Sequence, residues 1–480
     1  MLFKRIYDDA LAQASYLIAC TRTGEALVVD PNRDSASYLD AAEAAGVRIT
    51  HVTETHIHAD FLSGSRDLAR KAGARVLLSA EGGQDWQYAY AAGAGATLLT
   101  DGDHFDVGCV RVDVLHTPGH TPEHLTFLVT DTDSGDRAMG ALTGDFIFVG
   151  DVGRPDLLER AANVHGAMQE GARSLFASLA RFKERPDYLQ IWPGHGPGSA
   201  CGKSLGAMPQ STLGYERLFN WALASTNERE FTRTVLDGQP EPPRYFAQMK
   251  RLNKAGPRPL DGFPRPERLP AARLRVALEG GALVVDTRRA ADFAERHAAG
   301  TLNIPLNRSF ANWAGWFVPY DRPFYLVVDE SQPRCIDEAV RNLALIGLDD
   351  VAGYFGEDAI VASSAAGASG SIPQIGAKEL AAKLERGEAR VLDVRGHHEW
   401  EEGHLPGVEN IPLGLLPDHL AELQHDVPLV LQCQGGSRSA IAASLLAAIG
   451  FRNVANFAGG FGAWEAAGHA VERGEAGAPA

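Results

Sequence analysis

Short apolar runs rich in valine, isoleucine and leucine recur along the chain with polar turns between them, the pattern of buried strands. In the N-terminal half, runs such as ALVVD (Ala26–Asp30), RITHVTETH (Arg48–His56) and VRVDVLHT (Val110–Thr117) lead into histidine-rich turns. Further on, LVV and LVL runs are each followed by a helical stretch closing on an Ile-Gly pair and by another short strand: NLALIGLDDVAGY in one place, SLLAAIGFRNVANF in the other. Strand and helix alternating in this way predict parallel sheets covered by helices on both faces. Sheets of that kind place their chemistry at strand ends.

Two breaks divide the pattern. Eight prolines between Pro240 and Pro270 interrupt any long helix or central strand. The stretch Val361–Gln374, VASSAAGASGSIPQ, is small and uncharged and reads as a linker. The expected blocks are therefore 1–253, a Pro-rich linker 254–272, 273–360, a second linker 361–374, 375–472 and a tail 473–480. The two short blocks repeat each other. LVVDTR (Leu283–Arg288) is followed by NIPL at Asn303, and VLDVR (Val391–Arg395) by NIPL at Asn410, so that Asp286 to Asn303 and Asp393 to Asn410 have the same separation.

Composition narrows the class. At 480 residues, 45% apolar and 22% charged, the chain is expected to be a soluble globular protein of roughly three domains. A net charge of −16 without a long Lys/Arg run disfavours nucleic acid and anionic membranes as partners. Met1–Cys20 carries Asp8 and Asp9 and lacks a sustained apolar core, so neither a signal peptide nor a membrane span fits, and a cytoplasmic location is expected. Cys20, Cys109, Cys201, Cys335 and Cys433 are scattered without paired metal-ligand spacing, as free thiols in a reducing compartment would be. Helical stretches around Tyr215–Arg233 could form a subunit interface, and a homo-oligomer is expected.

Four segments carry candidate metal chemistry: ETHIHAD with His56, His58 and Asp60; HTPGHTPEH with His116, His120 and His124; LTGDFIFVGDVGRPDL with Asp145; and WPGHGPGSACGK with His195. A lone His-x-His is weak evidence. Repeated Pro-Gly-His turns and a Gly-Asp after an apolar strand strengthen it, because such loops project imidazole and carboxylate from several strands. In this order the segments resemble the metallo-β-lactamase superfamily over roughly Met1–Asn253. The resemblance implies a sandwich of two β-sheets flanked by helices, with metal at one edge.

One departure matters most. Position 61 is Phe, where the two-metal hydrolases of the superfamily need a histidine. That leaves His56, His120 and Asp145, two imidazoles and a carboxylate, an arrangement suited to one iron(II) per chain and to dioxygen. With the run GDVGRPDL, this set resembles the persulfide dioxygenases, which oxidise the terminal sulfur of a thiol persulfide to sulfite. The resemblance implies outer-sphere roles for His58, Asp60 and His195. It leaves Arg154 as a candidate contact to the carboxylate of a thiol such as glutathione, and Cys201 as a candidate sulfur carrier near the iron.

A second centre lies in LVLQCQGGSRSA. Cys433 directly follows a strand and precedes a helix, and Gly435 and Gly436 allow a tight loop of N–H donors around the sulfur. The helix N-terminus and Arg438 are expected to favour the thiolate. With the upstream LDVRGHHEWEEGHLPGVENIPLG, the segment resembles rhodanese over about Ile375–Glu472, which implies sulfur transfer involving thiosulfate, sulfite or a thiol. In the first copy, alignment back from Gly347 against Gly450 puts Glu330 opposite Cys433. That copy resembles an inactive rhodanese repeat, with Cys335 structural inside the following helix.

The whole resembles fused persulfide dioxygenase and sulfurtransferase enzymes of sulfide detoxification. A zinc-dependent thioester hydrolase of the glyoxalase type, and a non-enzymatic sulfur carrier, are the rivals.

Overall fold

The computed structural model describes residues 1–162, 166–203, 205–425 and 427–474. They fall into two compact units, Met1–Phe263 with Ala344–Gly347, and the remainder from Pro264 onward. The first unit is a sandwich of two six-stranded sheets. One runs, in hydrogen-bonded order, Leu2–Asp8, Gln13–Cys20, Glu25–Val29, Arg48–Thr53, Arg75–Ser79 and Thr97–Leu99. The other runs Ser211–Thr212, Gln190–Pro193, Gly140–Gly144, Leu125–Asp131, Val110–His116 and His104–Val107.

The two-residue period of a strand explains the layering. All eight residues of Gln13–Cys20 are buried. Tyr16, Ile18 and Cys20 join Leu27, Val29, Val112, Val114 and Phe127 between the sheets. Their neighbours Leu17 and Ala19 pack with Ala26, Val28, Tyr38 and Leu68 on the helix-covered face. On the second sheet, Phe127 and Leu142 face inward while Leu128, Ala141 and Ile191 meet Leu175, Leu179 and Phe231. Both faces of both sheets are therefore closed, and truncating a ring such as Phe127 to Ala costs about 3–5 kcal/mol.

The expectation of free thiols fails for two cysteines. Cys20, at the end of its strand, and Cys109, in the turn after His104–Val107, form a disulfide with Cα atoms 5.3 Å apart. The packing of one sheet on the other brings together residues 89 apart in sequence, which spacing alone cannot reveal. Cys201, Cys335 and Cys433 are free and buried.

The second unit contains two parallel sheets of the same strand order. The first copy runs Leu302–Asn303, Val284–Asp286, Phe324–Val327 and Val351–Phe355. The second runs Glu409–Asn410, Arg390–Asp393, Leu429–Gln432, Val454–Phe457 and Gln374–Ile375. The identical spacing in the two copies has a physical cause. Asn303 Nδ2 donates to the carbonyls of Asp286 and Arg288, and Asn410 Nδ2 to those of Asp393 and Arg395. Within each copy a buried arginine, Arg288 or Arg395, is paired with the strand-end aspartate, Asp286 or Asp393, at 2.7 Å.

Strand register corrects the equivalence drawn between Glu330 and Cys433. Asp286 pairs with Val327 and Asp393 with Gln432, so Val328 occupies the place of Cys433. The loop that follows is longer in the first copy, Val328–Arg334 against Cys433–Gly436, and alignment through the helix alone slides along it. Valine, like glutamate, offers no nucleophilic sulfur at that place. Cys335 is buried at the start of the helix Cys335–Leu345.

The stretch 361–374 is more ordered than a linker. Val361–Ala365 completes the helix Asp358–Ala365, and Ser369–Gly370 pairs with His297–Ala298. Its small side chains permit close backbone approach, so pairing replaces the apolar burial that the composition lacks. Among the described residues, no helix is long and apolar enough to cross a membrane.

Candidate functional site

Four strand ends converge at one edge of the sandwich. Thr55 and His56 follow Arg48–Thr53, His120 follows Val110–His116, Asp145 follows Gly140–Gly144, and His195 follows Gln190–Pro193. His56, His120 and Asp145 are buried, and one ligand atom from each lies within 4.8 Å of the others. Asp145 Oδ2 is 3.9 Å from His56 Nε2 and 3.5 Å from His120 Nε2.

Hydrogen bonding fixes the tautomers. Thr55 Oγ1 donates its proton to Asp30 Oδ2 at 2.9 Å, so it accepts from His56 Nδ1. His120 Nδ1 donates to the carbonyl of Arg154 at 3.0 Å. Both Nε2 lone pairs therefore remain for a ligand. Burial and the neighbouring imidazoles hold His56 well below its ordinary range, and burial with Lys250 carries His120 down to about 3, so both rings are neutral. Burial pushes the Asp145 carboxyl up, to about 6, against the pull of His195. His56 Nε2 and both Asp145 oxygens are buried without a well-aligned hydrogen bond. Neutral imidazoles and a bare carboxylate facing one point are a donor set for a transition metal.

The surrounding groups sort themselves around this triad. His58 Nε2 sits 3.2 Å from Asp30 Oδ1; burial alone would lower the ring, but Asp30 and Glu54 raise it to about 9. The fully buried Phe61 ring packs on His58 with centroids 4.4 Å apart. Asn253 clamps this turn, donating to the carbonyls of His58 and Phe61 and accepting from Ser63 N. Asp60, His195 and Cys201 form a second group, with His195 Nε2 at 3.3 Å from Asp60 and 3.4 Å from Asp145. Burial, then Asp145 and Asp60, drive the Cys201 thiol well above its ordinary range, so it stays protonated.

Arg154 is fully buried and spends its donors internally, on both oxygens of Asp156 at 2.8 and 2.7 Å and on the Ala200 carbonyl at 3.3 Å. Its own N–H donates to the carbonyl of Cys201. It thus joins the His120 turn to the Cys201 loop.

In the second unit, Cys433 follows the strand Leu429–Gln432 and precedes the helix Ser437–Ala448. Its Sγ accepts from Gly436 N at 3.1 Å and from Ser439 Oγ at 3.3 Å. Gly436 adopts φ +94, which a side chain would strain. Arg438 does not face the sulfur alone, because its two terminal nitrogens donate to Glu399 at 2.6 and 2.7 Å. A cavity of about 450 Å³ adjoins the loop, lined on one side by Gly435, Gly436 and Ser437 and on the other by Ala290, Ala294 and Glu295 of the first copy.

Comparison with known proteins accords with this geometry. A solved metallo-β-lactamase of Staphylococcus aureus is 43% identical, covers 74% of this chain and 99% of its own, and superposes with a TM-score of 0.66. The chain belongs to the metallo-β-lactamase superfamily. Residues 8–195 match that superfamily's family profile, and residues 376–467 match the rhodanese-like domain. A hydroxyacylglutathione hydrolase of Polaromonas is 32% identical over 198 residues, covering 41% of this chain and 66% of that one. A probable metallo-hydrolase of Burkholderia pseudomallei is 27% identical over 220 residues, covering 41% of this chain and 72% of that one. The chain thus spans about two thirds of the length of these curated relatives.

Within this superfamily member, sequence reasoning brought forward the residues that meet at the edge but missed their supports. Asp30 and Asn253 were not singled out as site residues, and His124 was named in its segment without a role. His124 Nε2 accepts from Asp145 N at 3.2 Å, and Gly144, at φ +47, leaves it room: a Cβ there would lie 2.8 Å from that nitrogen. The third histidine of HTPGHTPEH and the aspartate ending ALVVD were visible signals. Asn253 carried none. His116 lies apart, half-buried, its Nε2 on the carbonyl of Pro122.

Proposed function

We propose that the first unit oxidises a low-molecular-weight thiol persulfide to sulfite and free thiol with dioxygen, using one iron per chain held by His56, His120 and Asp145. The observation that carries this reading is Phe61, an aromatic ring packed on His58 where a two-ion hydrolase needs another imidazole. With His58 engaged by Asp30, two histidines and a carboxylate remain free to ligate. Iron(II), which such a donor set suits, would supply the one-electron chemistry that lets triplet dioxygen react with a closed-shell persulfide.

The residues of the chain have defined tasks in this scheme. Thr55, Arg154 and His124 hold His56, His120 and Asp145 in orientation. Burial of the group excludes bulk water. One persulfide, dioxygen and water give thiol, sulfite and two protons, and Asp60 and His195 are the buried pair placed to receive protons. In the second unit, Cys433 accepts the outer sulfur of a donor and passes it on; the exchange partners are thiosulfate, sulfite, thiol or persulfide. A tethered second centre meets a labile persulfide at high effective concentration, which suits the removal of sulfide in the cytoplasm.

A hydrolytic reading draws on the Asp60, His195 and Cys201 group, which could hold a second ion, and on the likeness to a hydroxyacylglutathione hydrolase. Anaerobic purification with metal quantification, followed by an oxygen electrode and several persulfides, separates the two. About one iron per chain with oxygen uptake is expected. Two zinc ions with thioester cleavage would defeat the oxygenase. Cys433→Ser is expected to stop sulfur transfer and leave oxygen uptake intact.

A further inference from the structure

The sulfur-transfer loop contains an arginine, yet its charge is cancelled. Arg438 is closed onto Glu399 by two short hydrogen bonds, 2.6 and 2.7 Å, a fork geometry that engages both of its terminal nitrogens. Glu399 is itself held, its Oε2 accepting from Gly396 N at 3.1 Å. Behind the loop, Arg395 is likewise neutralised by Asp393 at 2.7 Å. The cavity beside Gly435 and Gly436 has one charged side chain among its lining residues, the exposed Glu295 of the first copy.

We propose that Glu399 and Glu295 set the donor preference of Cys433, turning the loop toward thiol persulfides and away from dianionic donors such as thiosulfate. The inference rests on reading Cys433 as a sulfur-accepting nucleophile, and adds the class of donor. With a persulfide, the Cys433 thiolate attacks the outer sulfur of R–S–SH. A new Sγ–S bond forms, the donor S–S bond breaks, and RS⁻ leaves with the electron pair, leaving Cys–S–SH. With thiosulfate the same displacement expels sulfite and brings a double negative charge to the loop. No unpaired cation among the residues named offsets that charge, and Glu295 opposes it, so the dianion is repelled more strongly than the protonated persulfide R–S–SH, whose reacting sulfurs carry no charge. The first repeat, without a nucleophile of its own, thereby contributes a selective wall.

The test uses the full-length protein under anaerobic conditions, with Cys433 loading followed by mass shift for thiosulfate and for glutathione persulfide. Wild type should load faster from the persulfide, and its thiosulfate rate should rise with ionic strength as repulsion is screened. Glu399→Gln keeps an acceptor for Gly396 N and should raise the thiosulfate rate about tenfold while changing the persulfide rate less than about twofold. Glu295→Gln, on an exposed helix position, should shift the ratio the same way by about twofold. A donor ratio unmoved in both variants, or a thiosulfate rate indifferent to salt, overturns the preference while leaving Cys433 as the acceptor. Failure of every donor to load wild-type Cys433 overturns the acceptor reading itself.

Discussion

Arg154 offers a decisive perturbation, because two roles for it predict opposite outcomes. A guanidinium reaching for a substrate carboxylate would be accessible. Arg154 is fully buried, and so is its partner Asp156. Removing one member of a buried, bidentate pair strands the other, typically at a cost of about 3–5 kcal/mol. Here Arg160 Nε also reaches Asp156, at 3.2 Å, so Arg154→Met should fall at the lower end, about 3 kcal/mol. In hydrogen exchange that is about a hundredfold loss of protection. It should be concentrated in the segments that Arg154 ties together, 145–156 and 195–203. Arg154→Lys keeps the charge but not the fork, and should lose roughly half as much. The enzyme that remains folded should keep its KM for persulfides with and without a carboxylate. Unchanged protection with a KM raised only for carboxylate-bearing persulfides would refute the structural role and restore Arg154 to the substrate.

Asp145→Asn removes the carboxylate from the triad and should reduce bound iron from about one per chain to a trace by elemental analysis, with Cys433 loading unaffected. Cys109→Ala should lower the stability of the first unit by about 2–4 kcal/mol, read as an earlier calorimetric transition, since the bridge closes a long loop. An unaltered transition would show that the bridge contributes nothing. Although burial alone would raise the Glu399 carboxyl, Arg438 holds it below the usual range. A carboxyl depressed on folding stabilises above its unfolded value, about 4.3, and loses that contribution as pH falls through the folded value. The thermal gap between wild type and Glu399→Gln should therefore be full at pH 6 and close below pH 4; a constant gap would remove the ion pair as its origin.

What the chain discloses before folding follows from the range of each interaction. His56, His120, Asp145 and His195 are legible because each stands beside its own strand end, and an apolar run followed by a histidine turn is a local pattern. The repeat is legible for the same reason, and the amides of Asn303 and Asn410 explain why a fixed spacing is needed at all. Cys20 with Cys109, His58 with Asp30, and Asn253 with the turn of Phe61 join segments 28 to 195 residues apart, and no local pattern encodes them. The equivalence of Glu330 and Cys433 failed on register, because a helix tolerates alignment through a loop of altered length whereas a hydrogen-bonded strand pair does not. That distinction bears directly on chemistry. In both units the ligating or nucleophilic atom is local to its motif, but the groups around it answer to distant partners: Asp30 raises His58, burial with Asp145 and Asp60 keeps Cys201 protonated, and Glu399 pairs with Arg438. Residue types therefore indicate which reaction is possible, and the donor preference proposed for Cys433 rests on carboxylates that lie outside its own motif.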